Sequence, residues 1–398
     1  MRIFVIPGTF NGANLGDLAM FQVAVTRLKA LWPGAGFFVL AQSLELVESL
    51  QTSATTEASV VSTRDWSRWL ARKRGSWKSF FPQHRAGANR FSRTLLSSDL
   101  VVMAGSGIFT DAFQETGSRI LTLLQAAAEQ GIPTVVAGQG IGPMENAELR
   151  AQAAKVLPLM DAIFIREPDA SLALLRTLNV IPERIVVTGD DAIELAAKQP
   201  RPPQREGIGV NLRMARYANF SEGLMAMLRD VLHRKALQLE GKLLGIPISR
   251  VSEDSDVETL KFLVPEDPEP GLMPWTTGAV IERVSRCRVM VTGSYHAGVF
   301  ALAQGVPVVA IVQSGYYAQK FNGLARQFPG GCVVVFSGES GFATRLENAV
   351  DDAWNSSDAV LEGLRLATKE QIRAGEKAYG MLPELVSRRP GKAHLAPV

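Results

Sequence analysis

Short runs of valine, isoleucine and leucine that end near a glycine alternate along the chain with longer segments of helical periodicity. Such apolar runs are typical of strands buried on both faces, in parallel sheets that helices cover. We predict strands at 3–7, 36–40, 100–105, 133–138, 162–166, 185–189, 207–212, 242–248, 288–293, 306–312 and 332–336. The pattern therefore predicts an α/β protein.

The alternation is interrupted once, by the segment 196–209, which is rich in proline and charged residues. This composition is typical of a linker, so we predict two doubly wound α/β domains, 1–200 and 201–398, with a cleft between them. Ligands of open parallel sheets bind at the carboxyl ends of the strands, which here border the cleft. The last segment, 343–380, is predicted to be helical and to pack back across a domain face.

Composition and charge narrow the class of protein. Of the 398 residues 46% are hydrophobic and 20% are charged, as in a globular protein. A formal net charge of +3 gives no reason to expect a nucleic-acid partner. The opening sequence MRIFVIPGTF lacks the apolar region of a secretory signal, and no run approaches the ~18 apolar residues of a membrane helix. We therefore expect a cytoplasmic protein, whose two cysteines are core residues.

One of the four histidines stands where a predicted strand ends and a helix follows, in VTGSYHAGVFALAQGVPVVAI, residues 291–311. An imidazole with a pKa near ~6.5 can transfer a proton or bind a phosphate at cell pH, so His296 is the first candidate for catalysis. The alternative is a turn histidine whose ring only caps the preceding strand. The four histidines, at 84, 233, 296 and 394, lack the spacing of metal ligands.

Several short glycine-rich blocks together give the chain a resemblance to the polysaccharide pyruvyltransferase family, from residue 3 to about 330. These blocks are NLGDLA (14–19), VVMAGSGIFTD (101–111), GQGIGP (138–143), FIREPDAS (164–171), VTGDDAIEL (187–195), VNLR (210–213), SYHAGVFALAQGVPVVAI (294–311) and YAQKFNGL (317–324). The resemblance implies two Rossmann-like domains similar to the B-type glycosyltransferase (GT-B) fold. It also implies transfer of the pyruvyl unit of phosphoenolpyruvate to a sugar hydroxyl pair of a surface polysaccharide precursor, as a cyclic ketal. No metal and no cofactor besides this donor substrate are implied.

The resemblance assigns the donor side to the second domain and catalysis to His296. The family often has an arginine two residues before this histidine, where this chain has Ser294. A serine offers one neutral hydrogen bond in place of a bidentate grip, so Arg213, Lys320 and Arg166 are candidates for supplying the charge. Each has a plain structural alternative: Arg213 as a surface residue ending a strand, Lys320 as a solvated lysine, and Arg166 within a structural pairing.

The acceptor side is assigned to the first domain. The loop GTFNGANLGD contains Asn14 and Asp17 and suits sugar hydroxyls, and we expect Asp17 to be the N-cap of the helix that follows. Gly107 belongs to a second glycine-rich turn, GSG at 105–107, that follows a predicted strand. The alternative for both is a tight turn between strand and helix.

The segment 64–93 contains nine lysines and arginines against one acid, interleaved with Trp66, Trp69, Trp77, Phe80 and Phe81. We expect it to contact an anionic surface, either the inner face of a membrane or the diphosphate of a lipid-linked sugar acceptor. An ordinary surface helix is the structural alternative, and stacking on nucleic acid is less favoured.

Two other functions fit the same sequence. A glycosyltransferase that uses a nucleotide sugar shares the architecture, and a noncatalytic member of the family would bind a glycan without turnover. Serine in place of the family arginine favours the noncatalytic member most.

Overall fold

The structure is a computed structural model that describes residues 1–51, 58–75, 82–212, 222–249, 256–271 and 275–388. Within these ranges we find no helix that combines the length and the apolar character needed to cross a membrane. The candidate Arg213 lies outside the described residues, as do Trp77, Phe80 and Phe81.

Seven parallel strands form the sheet of the first domain, in the order β3-β2-β1-β4-β5-β6-β7. The chain runs outward in one direction from β1 to β3 and in the other from β4 to β7, so the order reverses between β1 and β4. A crevice opens at such a reversal, beyond the carboxyl ends of the two strands. The strands are β1 Arg2–Ile6, β2 Gly36–Ala41, β3 Ala58–Ser62, β4 Leu100–Met103, β5 Thr134–Gln139, β6 Ala162–Ile165 and β7 Ile185–Val187.

The second domain has a parallel sheet of five strands, in the order β12-β11-β10-β8-β9. Its order reverses between β8 and β10, and β10 is the strand that leads to His296. The strands are β8 Gly207–Asn211, β9 Lys242–Gly245, β10 Cys287–Thr292, β11 Val308–Val312 and β12 Cys332–Phe336.

Helices cover both faces of each sheet. In the first domain they are α1 Leu15–Leu31, α2 Glu45–Gln51, α3 Thr63–Lys73, α4 Pro82–Leu96, α5 Gln114–Glu129, α6 Ala147–Val156, α7 Asp169–Thr177 and α8 Ala192–Ala197. After the connecting segment they are α9 Glu222–Gln238, α10 Asp256–Leu263, α11 Thr277–Ser285, α12 Tyr295–Ala303, α13 Gly315–Gln327, α14 Phe342–Trp354, α15 Asp358–Gly380 and α16 Leu382–Ser387.

The central strand β1 shows why both faces must be covered. Ile3 and Val5 belong to one hydrophobic cluster, whereas Phe4 and Ile6 belong to another on the opposite face, and all four are fully buried. Successive side chains of a strand point to opposite faces, so a run without polar residues needs an apolar layer on each side. The first of these clusters continues into α11, α12 and β10, so the two domains share a core.

All eleven predicted strands are present, with ends that differ by a few residues. Strand β3 was not predicted; it is an edge strand that pairs only with β2 in the sheet order. Its sequence ASVVS is partly exposed and begins and ends with small residues, so it lacks the apolar run that marked the other strands.

The helical prediction for 343–380 corresponds to α14 and α15, and α15 returns to the first domain, where it packs on α1 and α8. A buried polar cluster fixes this contact. Arg27 of α1 pairs with Asp191 at 2.5 Å and with Glu194 at 2.7 Å, and the Tyr379 hydroxyl of α15 donates to Asp191 at 2.9 Å. The predicted boundary near residue 200 lies between α8 and β8, in the segment that joins the two sheets.

Candidate functional site

His296 lies in the first turn of α12, directly above the end of β10, and its side chain faces the first domain. The start of α1 packs against the imidazole so closely that a Cβ on Gly16 would lie 2.0 Å from the Cγ of His296. Only 7% of His296 is exposed, so it is buried between the domains and does not simply cap a strand.

A buried carboxylate accompanies this histidine. The Nε2 atom of His296 lies 3.7 Å from the Oδ2 atom of Asp190, which follows β7 in the first domain. Burial raises the pKa of Asp190 to about 6, although the neighbouring Arg166 and the backbone N–H of Ala192 act to lower it. Asp190 therefore titrates close to neutral pH beside the buried imidazole of His296.

Arg166 follows β6 and is fixed by contacts on several sides. Its Nη1 atom lies 3.3 Å from Asp190 Oδ2, and its guanidinium stacks 4.1 Å above the ring of Tyr295. Its main-chain carbonyl accepts a hydrogen bond from the side-chain amide of Gln327 in α13. A guanidinium that is 2% exposed and held by both domains is a prepositioned cation, not a surface residue.

Lys320 approaches the same place from α13 of the second domain. A Cβ placed on Gly107 would lie 3.3 Å from Lys320 Nζ and 3.2 Å from Arg166 Nη2, so the two cations flank this glycine. Burial and then the charge of Arg166 lower the pKa of Lys320 well below 10.5, although Asp17 and Glu167 act to raise it. Lys320 is therefore not a solvated lysine.

The glycine-rich turns of the first domain allow this close approach. Gly8 after β1 and Gly105 after β4 are in contact, because a Cβ on Gly8 would lie 2.6 Å from the Gly105 carbonyl oxygen. The Ser106 hydroxyl donates to Gln139 Oε1 at 2.8 Å, which ties the GSG turn to β5. The absence of a side chain at Gly107 allows Arg166 and Lys320 to approach the turn closely.

The expected N-cap of α1 is wrong. The helix begins at Leu15 and its N-cap is Asn14, whose side-chain oxygen accepts hydrogen bonds from the N–H groups of Gly16 at 3.0 Å and Asp17 at 3.3 Å. Asn14 also forms an isolated bridge with Ser249 of the second domain. Its side-chain oxygen is therefore engaged in capping, whereas Asp17 is one helical turn further on and acts electrostatically on Lys320.

The structure thus brings five candidates together: His296, Arg166, Lys320, Gly107 and Asp17. Ser294 is the N-cap residue of α12, two positions before the histidine, and its main-chain N–H donates to Thr292 Oγ1 at 2.8 Å. Gly107, which was assigned to the acceptor side, lies next to Arg166 and Lys320, which were assigned to the donor side.

Three residues of the site were not among the predicted ones: Asp190, Tyr295 and Gly16. Asp190 lies in the block VTGDDAIEL and Tyr295 is next to His296. Their membership of these blocks was the sequence signal that could have identified them. In the described ranges we find no group of three or more His, Cys, Asp or Glu side chains arranged to hold a metal ion.

The basic aromatic segment 64–93 contributes more side chains to the hydrophobic core than expected. Trp66 and Trp69 are 1% and 4% exposed and belong to the core beneath α3 and α4, so neither is available to a membrane or to stacked bases. Asp65 pairs with Arg68 at 2.9 Å and with Arg90 at 2.6 Å.

Several solved structures share this architecture. The S. aureus MnaA–UDP co-structure is 13% identical with a TM-score of 0.62, over 98% of this chain and 99% of that one. The UDP-GlcNAc 2-epimerase from Methanocaldococcus jannaschii is 12% identical with a TM-score of 0.60, over 96% of this chain and 100% of that one. The glycotransferase of kitacinnamycin is 15% identical with a TM-score of 0.58, over 98% of this chain and 99% of that one. These likenesses confirm the predicted GT-B-like fold.

A search of the curated proteins finds no match. The family model for polysaccharide pyruvyl transferase matches residues 14–315, which include the GSG turn, Arg166, Asp190 and His296. Because this match extends over about three quarters of the chain, the protein belongs to the polysaccharide pyruvyl transferase family.

Proposed function

We propose that the cleft binds phosphoenolpyruvate and transfers its pyruvyl unit to two hydroxyls of a sugar in a polysaccharide precursor, as a cyclic ketal. The observation that carries this proposal is the convergence of Arg166 and Lys320 beside Gly107, within the same cluster as His296 and Asp190. Two cations from two domains match a small donor that carries a carboxylate and a phosphate.

These two cations also offer a replacement for the arginine that the family often has at the position of Ser294. The family arginine missing there would have supplied one positive group from the second domain, and Lys320 supplies one from α13 of that domain. Arg166 supplies the planar group suited to bidentate contact with a carboxylate or phosphate. Ser294 keeps the role of a neutral hydrogen-bonding residue at the start of α12.

The lowered pKa of Lys320 has a direct consequence for binding. Burial and the charge of Arg166 favour the neutral amine in the empty cleft. An anionic donor between the two cations favours the ammonium form, so binding takes up a proton. Affinity then falls as pH rises, because the complex holds more protons than the free protein.

The reaction needs a group that moves protons, since one sugar hydroxyl must add to the central carbon while the terminal methylene accepts a proton. The second hydroxyl then displaces phosphate and closes the ring. One hydroxyl proton ends on the new methyl group and the other leaves with inorganic phosphate. His296, next to Asp190 at 3.7 Å, is placed to accept a proton from a hydroxyl and release it again.

The acceptor would lie against the glycine-rich turns and Asp17, on the open side of the cations. A lipid-linked acceptor would place the enzyme at the inner face of a membrane. The exposed arginines Arg64, Arg72 and Arg85 of the segment 64–93 are then the groups that would contact the anionic surface.

The test is calorimetric titration of the full chain with phosphoenolpyruvate, in two buffers of different ionisation enthalpy so that proton uptake is measured. Wild type is compared with His296→Gln and Lys320→Met, and the exposed Lys155→Met of α6 is the control for loss of one lysine. We expect both cleft variants to lose affinity about tenfold or more, the control to match wild type, and proton uptake to vanish in Lys320→Met.

A parallel titration with UDP addresses the second candidate, because structures similar to this chain include complexes with UDP. Binding of UDP with no binding of phosphoenolpyruvate would favour the nucleotide-sugar glycosyltransferase. Phosphoenolpyruvate affinity that is equal in wild type and both cleft variants would refute the assigned site. Release of inorganic phosphate in the presence of acceptor glycans separates an enzyme from a noncatalytic glycan-binding member.

A further inference from the structure

A pocket of about 480 Å³ lies on the second domain, away from His296. It is formed by the segment joining the domains, the start of β10, the turn after α12, and the facing ends of α14 and α15. The first residues of β10 border this pocket, whereas the last residues of the same strand lead to His296. The pocket and the cleft therefore lie at opposite edges of one sheet, and the pocket has no role in the proposed reaction.

Four arginines line this pocket against one carboxylate, Asp358. They are Arg201, Arg205, Arg288 and Arg365. Like charges crowded on a concave surface repel one another, and an anion bound among them removes that cost. We propose that this pocket binds a small molecule that carries a diphosphate group.

The first two arginines are held by neutral groups. Arg201 donates to the carbonyl of Ala303 at 3.0 Å, and Arg205 donates to the carbonyls of Gly305 at 2.6 Å and Gln304 at 2.7 Å. We find no ion pair for either arginine in the described ranges. A guanidinium has five N–H donors, so these contacts orient both groups and leave donors for a ligand.

The other two arginines complete the cluster. Arg288 donates through Nε to the Trp354 carbonyl at 2.9 Å, and its guanidinium lies 4.8 Å above the indole ring. Arg365 of α15 pairs with Glu362 at 3.0 Å, one turn earlier on an exposed helix surface. Burial lowers the pKa of Arg201 and of Arg205; Arg365 lowers the pKa of Arg201 further, and Arg201 and Arg365 lower that of Arg205.

The size and the walls of the pocket indicate the ligand class. Small-molecule sites commonly have volumes of ~300 to 1,000 Å³, so this pocket accommodates more than a single phosphate. Planar guanidinium groups bind phosphate oxygens in pairs, and several arginines favour two linked phosphates over one. Pro202, Pro307 and Trp354 give the pocket an apolar wall for the remainder of the molecule.

The test is titration of the full chain with inorganic pyrophosphate and, separately, with inorganic phosphate. Arg365→Gln and Arg288→Gln each remove one charge from the pocket without touching the carbonyls at the end of α12. Arg388→Gln is the matched control, because Arg388 is also exposed and pairs with a glutamate one turn earlier, Glu384, at 2.6 Å. Thermal unfolding verifies that each variant is folded.

We expect pyrophosphate to bind at least about tenfold more tightly than phosphate, and each pocket variant to weaken it by about tenfold, with Arg388→Gln unchanged. Binding that persists in Lys320→Met supports the pocket independently of the cleft. Pyrophosphate binding that is lost in Lys320→Met but retained in both pocket variants would assign the anion to the cleft and overturn the proposal. Absence of binding, or equal affinity for the two anions, would overturn it as well.

Discussion

Replacing Gly16 by alanine tests whether the start of α1 positions His296. The added Cβ would lie 2.0 Å from His296 Cγ and 2.1 Å from Nδ1, where ordinary van der Waals contact begins at 3.4 Å. The imidazole must therefore retreat by the difference between 2.0 and 3.4 Å, about 1.4 Å. A displacement of about 1 Å at a reacting group can cost on the order of 10²-fold in rate, so we expect a loss of that size.

The effect of this change on stability is smaller and partly compensated. Alanine is favoured over glycine within a helix by up to ~1 kcal/mol, whereas overpacking of a buried contact costs ~1 to 3 kcal/mol. We expect the free energy of unfolding to fall by at most about 2 kcal/mol. Gly363→Ala is the matched control, because this glycine also lies in a helix, α15, and its added Cβ would meet nothing within 4 Å.

Phosphoenolpyruvate affinity and turnover measure the effect of Gly16→Ala on the site, and thermal unfolding measures its effect on stability. Gly363→Ala should be as active as wild type and slightly more stable. If Gly16→Ala also keeps full activity and gains stability like the control, then α1 does not hold His296 and the described packing is wrong.

Four further substitutions probe other contacts, and the free energy of unfolding is measured for each. Asn14→Ala should cost ~1 kcal/mol through loss of the N-cap, whereas Asp17→Ala should cost less, and the reverse order would refute the assigned cap. Tyr379→Phe removes the donor to buried Asp191 and should cost ~1 to 3 kcal/mol; no change would mean that α15 docks by apolar packing alone. Because the pKa of Asp190 is raised from 3.8 to about 6, its protonated form stabilises the fold below pH 4, and that stability is lost as pH rises through 6. In a pH series Asp190→Asn should lack this decline, and a decline equal to that of wild type would contradict the raised pKa.

The fold could be predicted to the level of strands and domains because buried parallel strands carry an unbroken apolar signal. Residues 100–103, LVVM, must be apolar throughout, since helices cover both faces of the sheet there. Edge strand β3 has no such requirement and was missed. Trp66 and Trp69 were assigned to an anionic surface because their spacing alone does not show which side of α3 faces the core.

The site was predictable in part, for a different reason. His296, Arg166 and Lys320 each follow or face the end of a strand, where the chain pattern alone already suggested function. The pairing of His296 with Asp190 joins positions more than a hundred residues apart, and the contact with Gly16 depends on how the domains meet. Neither signal exists in a local stretch of sequence. The wrong N-cap has a local cause. The apolar pattern was followed from Leu18 onward, which put Asp17 at the cap, whereas the helix already begins at Leu15.

The return of α15 to the first domain has a mechanical consequence. The chain crosses between the domains twice, once through the segment between α8 and β8 and once through α15, which is anchored by Tyr379 at its far end. Two crossings restrict relative motion to bending about the line that joins them and oppose free twisting. Contacts made by both domains, such as the stacking of Arg166 on Tyr295, oppose opening of the cleft in the same way.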